Sequence, residues 1–490
     1  MRSRVLIPAL LAFAVFAVSC GSDEPSVPAA ASVAPASSEL FLTVDTGFDS
    51  DQWRTARGLL DRFPDGDRAV QYFLDELSAE GIDFAADLEP ALGPETAVVG
   101  FDLFGDAPVV VGLTQPDDEA KLEELAETSD EPAVLREIDG WTAFADSDEV
   151  LDRFEEARAQ GTLEDSEDFR SALGEVEAEA LGRLYLSGAA LQAGLEAETD
   201  LPPGALDTLL PGGEIPSIAA ALRAEEGGVR LEGAARLAAE GESALFVEPY
   251  AAELPNELPA GAIIYFSFRD LDRQLAAMKE FFAQVDPQVD ADLARIEAQF
   301  GLSLEEDIFP LFAGEGAFVV RPGFVVPELT LVTHVEDEQH AMETLDQLAE
   351  ALGRYAPFPV APRTTEIAGV EAREVPISPP FALYYAAFDG RLVVTSSRDG
   401  IASLREEGDR LADDAEFQAA LDAAGVPDET TGMAYVNIRE VVTNFLGLAE
   451  MSGAPLPPEL APNLEPLQSL VFYGTKDGQT VRFTGFLAVE

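Results

Sequence analysis

Two histidines, His334 and His340, stand six residues apart, and the chain has no others. A helical metal pair needs an i, i+4 spacing, which puts both rings on one face. Six residues across a predicted strand end and helix start do not bring them together. Asp45, Asp49 and Asp51 in DTGFDSDQ hint at a calcium loop, but the sixth-position glycine and the distal glutamate are missing. Asp49 or Ser50 as a helix cap accounts for them without a metal. Asp87 and Glu95 return further on as Asp307 and Glu315, and paired carboxylates are what general acid–base chemistry asks for. No His, Lys or Ser returns beside them, so a repeated cap or turn is the simpler reading. The chain also lacks GxSxG, GxxxxGKS/T, a helix-opening GxGxxG, HExxH and SxxK. It therefore offers no catalytic residue, no metal set and no cofactor site, and a non-enzymatic role is expected.

One side chain does point to a covalent modification. Cys20 is the single cysteine, so an internal disulfide framework and a Cys-based zinc site are excluded. It follows two arginines, the apolar run Val5–Val18 and Ser19. A basic head, a short apolar stretch and small residues before the cut describe a secretory signal. The run is too short to span the ~30 Å hydrocarbon core as a helix. The ending Ala17-Val18-Ser19-Cys20 resembles a bacterial lipobox, with Ala17 where leucine is commonest. That resemblance implies diacylglycerol on the Cys20 sulfur and cleavage just before it. Two acyl chains give stable anchoring where one does not.

Composition sets the remaining bounds. At 490 residues the chain is long for one core, and its 47% apolar content with 30 Phe is ample for two. A formal charge of -62 argues against nucleic acid, because phosphate binding needs clustered Lys and Arg. It argues equally against docking the folded body onto anionic lipid. The Pro/Ala/Ser-rich stretch after Cys20 reads as a tether that lets an acidic body stand clear of the membrane.

The elements that must position these residues are written twice. Ile82–Val99 (IDFAADLEPALGPETAVV) returns without a gap as Leu302–Val319 (LSLEEDIFPLFAGEGAFV). Upstream, the strand Glu39–Asp45 corresponds to AIIYFSF, so that Tyr265 answers Phe41. Helical periodicity follows in each copy, over Asp51–Phe63 and Ala69–Ala79, then over Asp270–Phe282 and Asp290–Phe300. Downstream, Phe169 matches Phe417 and Tyr185 matches Tyr435. Each copy closes on a predicted hairpin, Ser217–Leu237 and Ser469–Val489. Between Leu125/Leu345 and Asp146/Ser396 the offset grows from 220 to 250, so the second copy holds an added hairpin or the first has lost one.

The early Pro-Ala and strand, Leu59-Leu60-Asp61-Arg62-Phe63-Pro64, and the block Gly81–Gly100 with Asp87-Leu88-Glu89-Pro90 resemble the family of domain of unknown function 3352. Residues 35–490 fit it as two tandem copies. The family implies an exported, lipid-anchored α+β protein, and no reaction.

The expected organisation is a signal peptide (1–19), a lipidated Cys20 with its tether (20–38), a first α+β repeat (39–240), a linker (241–258) and a second repeat (259–490). Each repeat should be a mainly antiparallel sheet with helices on one face. The two sheets should pack as a pair with a cleft between them. The added stretch Tyr355–Asp389 carries Tyr355, Phe358, Phe381, Tyr384 and Tyr385 among prolines. It is the candidate contact surface for a partner, although a strand hairpin turning its rings into the core explains the same residues and is preferred. The expected role is binding or scaffolding by an envelope lipoprotein, at the outer face of the cytoplasmic membrane or the cell surface. The alternative is a carrier of a lipid or other apolar ligand in the cleft, and an enzyme of unrecognised type comes third.

Overall fold

The computed structural model describes residues 27–105, 107–128, 132–199, 215–238, 246–286, 288–323, 326–354, 361–378, 381–452 and 456–490. Among the described residues, eighteen strands form a single antiparallel sheet with helices packed against it, an α+β architecture. The first half contributes β1 (Leu40–Asp45), β2 (Glu95–Phe101), β3 (Val109–Thr114), β4 (Val134–Ile138), β5 (Trp141–Ala145), β6 (Gly182–Ser187), β7 (Ser217–Glu225) and β8 (Gly228–Arg236). The second contributes β9 (Ile264–Phe268), β10 (Gly316–Arg321), β11 (Glu328–His334), β12 (Arg363–Ile367), β13 (Val370–Ser378) and β14 (Phe381–Phe388). It ends with β15 (Arg391–Thr395), β16 (Gly432–Asn437), β17 (Leu467–Asp477) and β18 (Thr480–Val489).

Pairing runs β4-β5-β3-β2-β1-β6-β7-β8 across the first half. Across the second it runs β12-β13-β14-β15-β11-β10-β9-β16-β17-β18. The halves then join edge to edge, β8 against β18, from Gly228↔Ala488 to Arg236↔Thr480. The expected pair of separate sheets with a cleft between them is thus corrected to one continuous sheet. The reason is hydrogen bonding: two long strand edges satisfy their backbone groups by pairing with each other.

The tightest turns follow from their residues. Asp139-Gly140, Ala368-Gly369 and Asp389-Gly390 all have positive φ at both positions. That is the two-residue turn whose twist suits a hairpin, and Asp-Gly adopts it readily. The hairpin β12–β13 lies outside β14 at the edge of the sheet. The thirty-residue growth in offset falls here.

Two cores lie on one face of this sheet. In the first, Phe41, Val99, Val111 and Tyr185 pack under Leu151 and Phe154 of the helix Asp148–Arg158 and Phe169 of the helix Glu167–Leu173. Phe169 meets Phe41 edge-on at 5.1 Å and Tyr185 at 5.0 Å. In the second, Phe417 of the helix Ala415–Ala424 meets Tyr265 at 5.6 Å and Tyr435 at 5.0 Å in the same manner. Such edge-to-face pairs add to what area burial alone supplies.

Helices also occupy the opposite face, where a single helical layer was expected. On β15, Val393 belongs to the core under Ile401, whereas its neighbour Val394 packs against Ala349 and Tyr385 beneath the helix Glu338–Gly353. Strands apolar on both faces call for cover on both. At the junction, Leu59 of the helix Asp51–Leu60 seats on Ala224 and Val489, with Leu222, Val229 and Leu487 around it.

Residues 27–38, read from the sequence as tether, are partly built into the first core. Ala29–Ser32 forms a 3-10 turn, and Ala30, Ala31, Val33 and Ala34 are buried because their small side chains fit the end of that core. In the stretch read as linker, Leu254 and Leu258 are likewise buried in the second core. The signal segment and Cys20 lie outside the described residues.

Candidate functional site

The recurring carboxylates, the sequence's hint of acid–base chemistry, are tied up in capping. Asp83 accepts from the Ala86 amide at 2.8 Å, and Asp87 reaches back to the Asp83 amide at 2.9 Å. In the second half, Ser303 accepts from the Glu306 amide at 3.2 Å and Asp307 from the Ser303 amide at 2.7 Å. These are reciprocal caps on the first turn of Phe84–Leu88 and of Leu304–Ile308. Lys121 stands 2.8 Å from Asp87 and holds that carboxyl below its ordinary range through a direct hydrogen bond.

Glu95 and Glu315 do a second capping job. Glu95 accepts from the amides of Ala29 and Ala30 at 3.2 and 3.0 Å. Glu315, only 6% exposed, accepts from Glu253 at 3.0 Å and Leu254 at 2.9 Å. Each carboxylate thus satisfies free amides at the start of the 3-10 turn that opens its half, Ala29–Ser32 and Leu254–Asn256. The cap or turn reading holds for both carboxylates.

Ser50 is the cap of the helix Asp51–Leu60, accepting from the Trp53 amide at 3.3 Å. Asp49 stands 3.9 Å from Arg57 and Asp51 pairs with Arg54. Asp45 accepts from the Gly47 amide at 2.6 Å, and burial pushes its carboxyl up to about 6. The three aspartates are not gathered as ligands, and among the described residues no three or more His, Cys, Asp or Glu form a metal set.

The histidines come closer than their spacing foretold. Both line an open cleft of about 480 Å³, with Arg269, Asp270, Leu311 and Asp337. His334 stands 3.8 Å from Glu257 and His340 stands 3.9 Å from Asp307. Each imidazole therefore faces its own carboxylate rather than the other ring.

Of the aromatic stretch, Tyr355 and Phe358 lie outside the described residues. Phe381 is exposed at the start of β14. Tyr384 is half-buried, with the Arg398 guanidinium 5.7 Å from its ring centroid. Tyr385 is buried and donates to Asp346 at 2.6 Å, and its hydroxyl is pushed well above its ordinary value, chiefly by desolvation. The strand reading holds at Tyr385.

What the sequence did not single out is the second face of the second half. Register aligns one row across seven strands, Leu231–Gly485–Phe472–Ala434–Phe266–Phe318–Leu331. A parallel row holds Leu470, Val436, Ile264, Val320 and Leu329. Phe266 is 47% exposed, Phe472 44%, Leu470 41% and Phe318 36%, although Tyr265 and Val471 beside them are fully buried on the other face. Gly485 leaves the gap that the Phe472 ring fills: a Cβ there would meet that ring at 3.2 Å.

The adjoining helices leave this floor open. The helix Ile438–Ser452 packs on β16 and β17 with Phe445 exposed. The helix Leu271–Val285 has no buried residue, and Met278 and Phe282 are exposed. The helix Asp51–Leu60, which follows β1 as Leu271–Val285 follows β9, seats Leu59 on the sheet instead. One signal in the sequence could have found the floor. Ile263-Ile264-Tyr265-Phe266 and Leu470-Val471-Phe472-Tyr473 are unbroken apolar runs, not alternations, which marks strands apolar on both faces.

Fold and site together define an α+β protein with a continuous antiparallel sheet, whose recurring carboxylates serve as caps and whose second half bears an open apolar floor. The chain belongs to the family described as "Protein of unknown function (DUF3352)", whose model matches residues 119–489. No curated protein matches it. Among solved structures, crystal form IV of TP0453 is similar at 12% identity and a TM-score of 0.24, over 48% of this chain and 93% of that one. Crystal form III of TP0453 gives 10% identity and a TM-score of 0.22, over 45% and 85%. Likeness at that level says nothing about what this chain does. Among the described residues no helix is long and apolar enough to cross a membrane.

Proposed function

We propose that this is an exported lipoprotein that binds an apolar ligand and catalyses no reaction. In this reading a lipid on Cys20 holds it at the outer face of the cytoplasmic membrane or the cell surface. The observation that carries the binding function is the floor of exposed Phe and Leu on β8, β17, β9, β10 and β11, with the smaller Gly485 of β18 and Ala434 of β16 between them. Apolar side chains left in water at the middle of a sheet forgo stabilisation of order 1 kcal/mol each, and patches of this kind mark binding surfaces. The ligand site proposed is therefore this face, rather than a cleft between halves. A non-enzymatic role is supported by the capping of Asp87, Glu95, Asp307 and Glu315.

We also read the two halves as tandem copies. What supports this is the correspondence of β1, β2 and β3 with β9, β10 and β11, and of Phe41, Phe169 and Tyr185 with Tyr265, Phe417 and Tyr435.

The anchor is tested by Cys20→Ala, which should move the protein from the membrane to the soluble fraction. Continued membrane association in high salt would refute it. The binding function is tested with an apolar dye that fluoresces when it leaves water. The full chain should bind it, and Phe266→Asp with Phe472→Asp should abolish binding.

A further inference from the structure

We propose that the ligand of the apolar floor is a long-chain acyl lipid, laid with its hydrocarbon across the strands. This rests on the reading of that face as a binding surface and adds the class of molecule. Dimensions come first. From Leu231 on β8 to Leu331 on β11 the row crosses six interstrand steps, roughly 29 Å at ~4.8 Å each. The acyl chains of one leaflet reach through about half of the ~30 Å hydrocarbon core. A whole chain therefore fits along one row, and the exposed ends of the parallel row, Leu470 and Leu329, widen the bed, with Val320 buried between them.

Chemistry comes second. The side chains of both rows are Phe, Leu, Ile, Val and Ala, with Gly485 between, and none offers a hydrogen bond. Protein interfaces average about one hydrogen bond per 100–200 Å² and draw their binding energy from Trp, Tyr and Arg. These rows have none of those residues. Every strand beneath the exposed rings is paired on both sides, so an incoming peptide strand finds no backbone to pair with.

Charge comes third. A second copy of the chain would bring another body of net charge -62 against this face, and like charges repel at that approach. A hydrocarbon chain brings no charge to the floor. The protein's negative field favours a zwitterionic or neutral headgroup over an anionic one.

The experiment uses the full chain with Cys20→Ala, so that no lipid of its own competes. It is loaded with the apolar dye and titrated with palmitoyl-lysophosphatidylcholine below its micelle concentration. Displacement of the dye is expected, and Phe266→Asp should weaken lipid binding by about tenfold or more. Phe266→Leu should retain it, and Tyr72→Asp, at an exposed ring far from the floor in sequence, should leave it unchanged. Dye binding without displacement would overturn the acyl-lipid assignment while leaving the apolar-ligand reading intact. Failure to bind even the dye would overturn both. A dimer that Phe266→Asp converts to a monomer would make a second copy the occupant and overturn the lipid.

Discussion

Glu315 shows what a buried charge can do when backbone amides surround it. Its carboxylate is nearly removed from water and accepts from the Glu253 and Leu254 amides. Replacing it with Leu strands those donors, and an unsatisfied buried donor costs about 1–3 kcal/mol. Glu315→Leu should therefore lower the denaturation midpoint of the chain, and Glu95→Leu less so because its bond to Ala29 lies at the surface. Equal losses at the two sites would show that burial does not set the cost. At this scale the sequence was informative. Both glutamates were visible because they recur without a catalytic neighbour, and recurrence without chemistry is the mark of a cap. The histidines were less legible: their shared cleft depends on how the turn at Phe309–Phe312 meets the start of the helix Glu338–Gly353, which spacing cannot express.

The helices that follow β1 and β9 differ in what they bury. Asp51–Leu60 buries Leu59 on the sheet, whereas Leu271–Val285 buries no residue fully and packs on the turn Phe309–Phe312. Local opening follows buried contact, so Leu271–Val285 should exchange its amide hydrogens faster than Ala415–Ala424, by roughly two orders of magnitude. Hydrogen-exchange mass spectrometry reads this directly, and equal protection in the two helices would contradict it. An occupied floor should slow the exchange. The helix itself was legible, since Leu271, Leu275, Met278 and Phe282 fall on one face at helical spacing. Its shallow seat was not, because periodicity reports an apolar stripe without saying how deeply it is covered. The hairpin β12–β13 was legible for a different reason: an insertion between matched segments changes the offset whatever its structure.

Taken whole, the molecule is held together by its last strand. Beyond the β8–β18 ladder, Arg230 donates to the Ala424 carbonyl at 2.7 Å, and Asn463 donates to Asp65 at 2.7 Å. A chain ending at Asp477 should keep the first core yet lose the ladder, and small-angle scattering should show a larger radius of gyration. An unchanged radius would mean that the side-chain contacts suffice. The antiparallel α+β class was readable from short strands punctuated by turns and helices. The edge-to-edge joint was not, because both closing hairpins carry equally good strands and nothing in either names its neighbour.

That joint has a consequence for how the molecule comes into being. The outer edge of β8 is complete about 250 residues before its partner, and at roughly 5–20 residues per second the ribosome leaves it bare for about ten seconds to most of a minute. For that interval the nascent chain carries an open template for strand addition, with Leu231 and Val229 beside it. Maturation is thus a race between the arrival of the carboxyl terminus and capture by a stranger, and slow translation of the second half should favour clumping over yield.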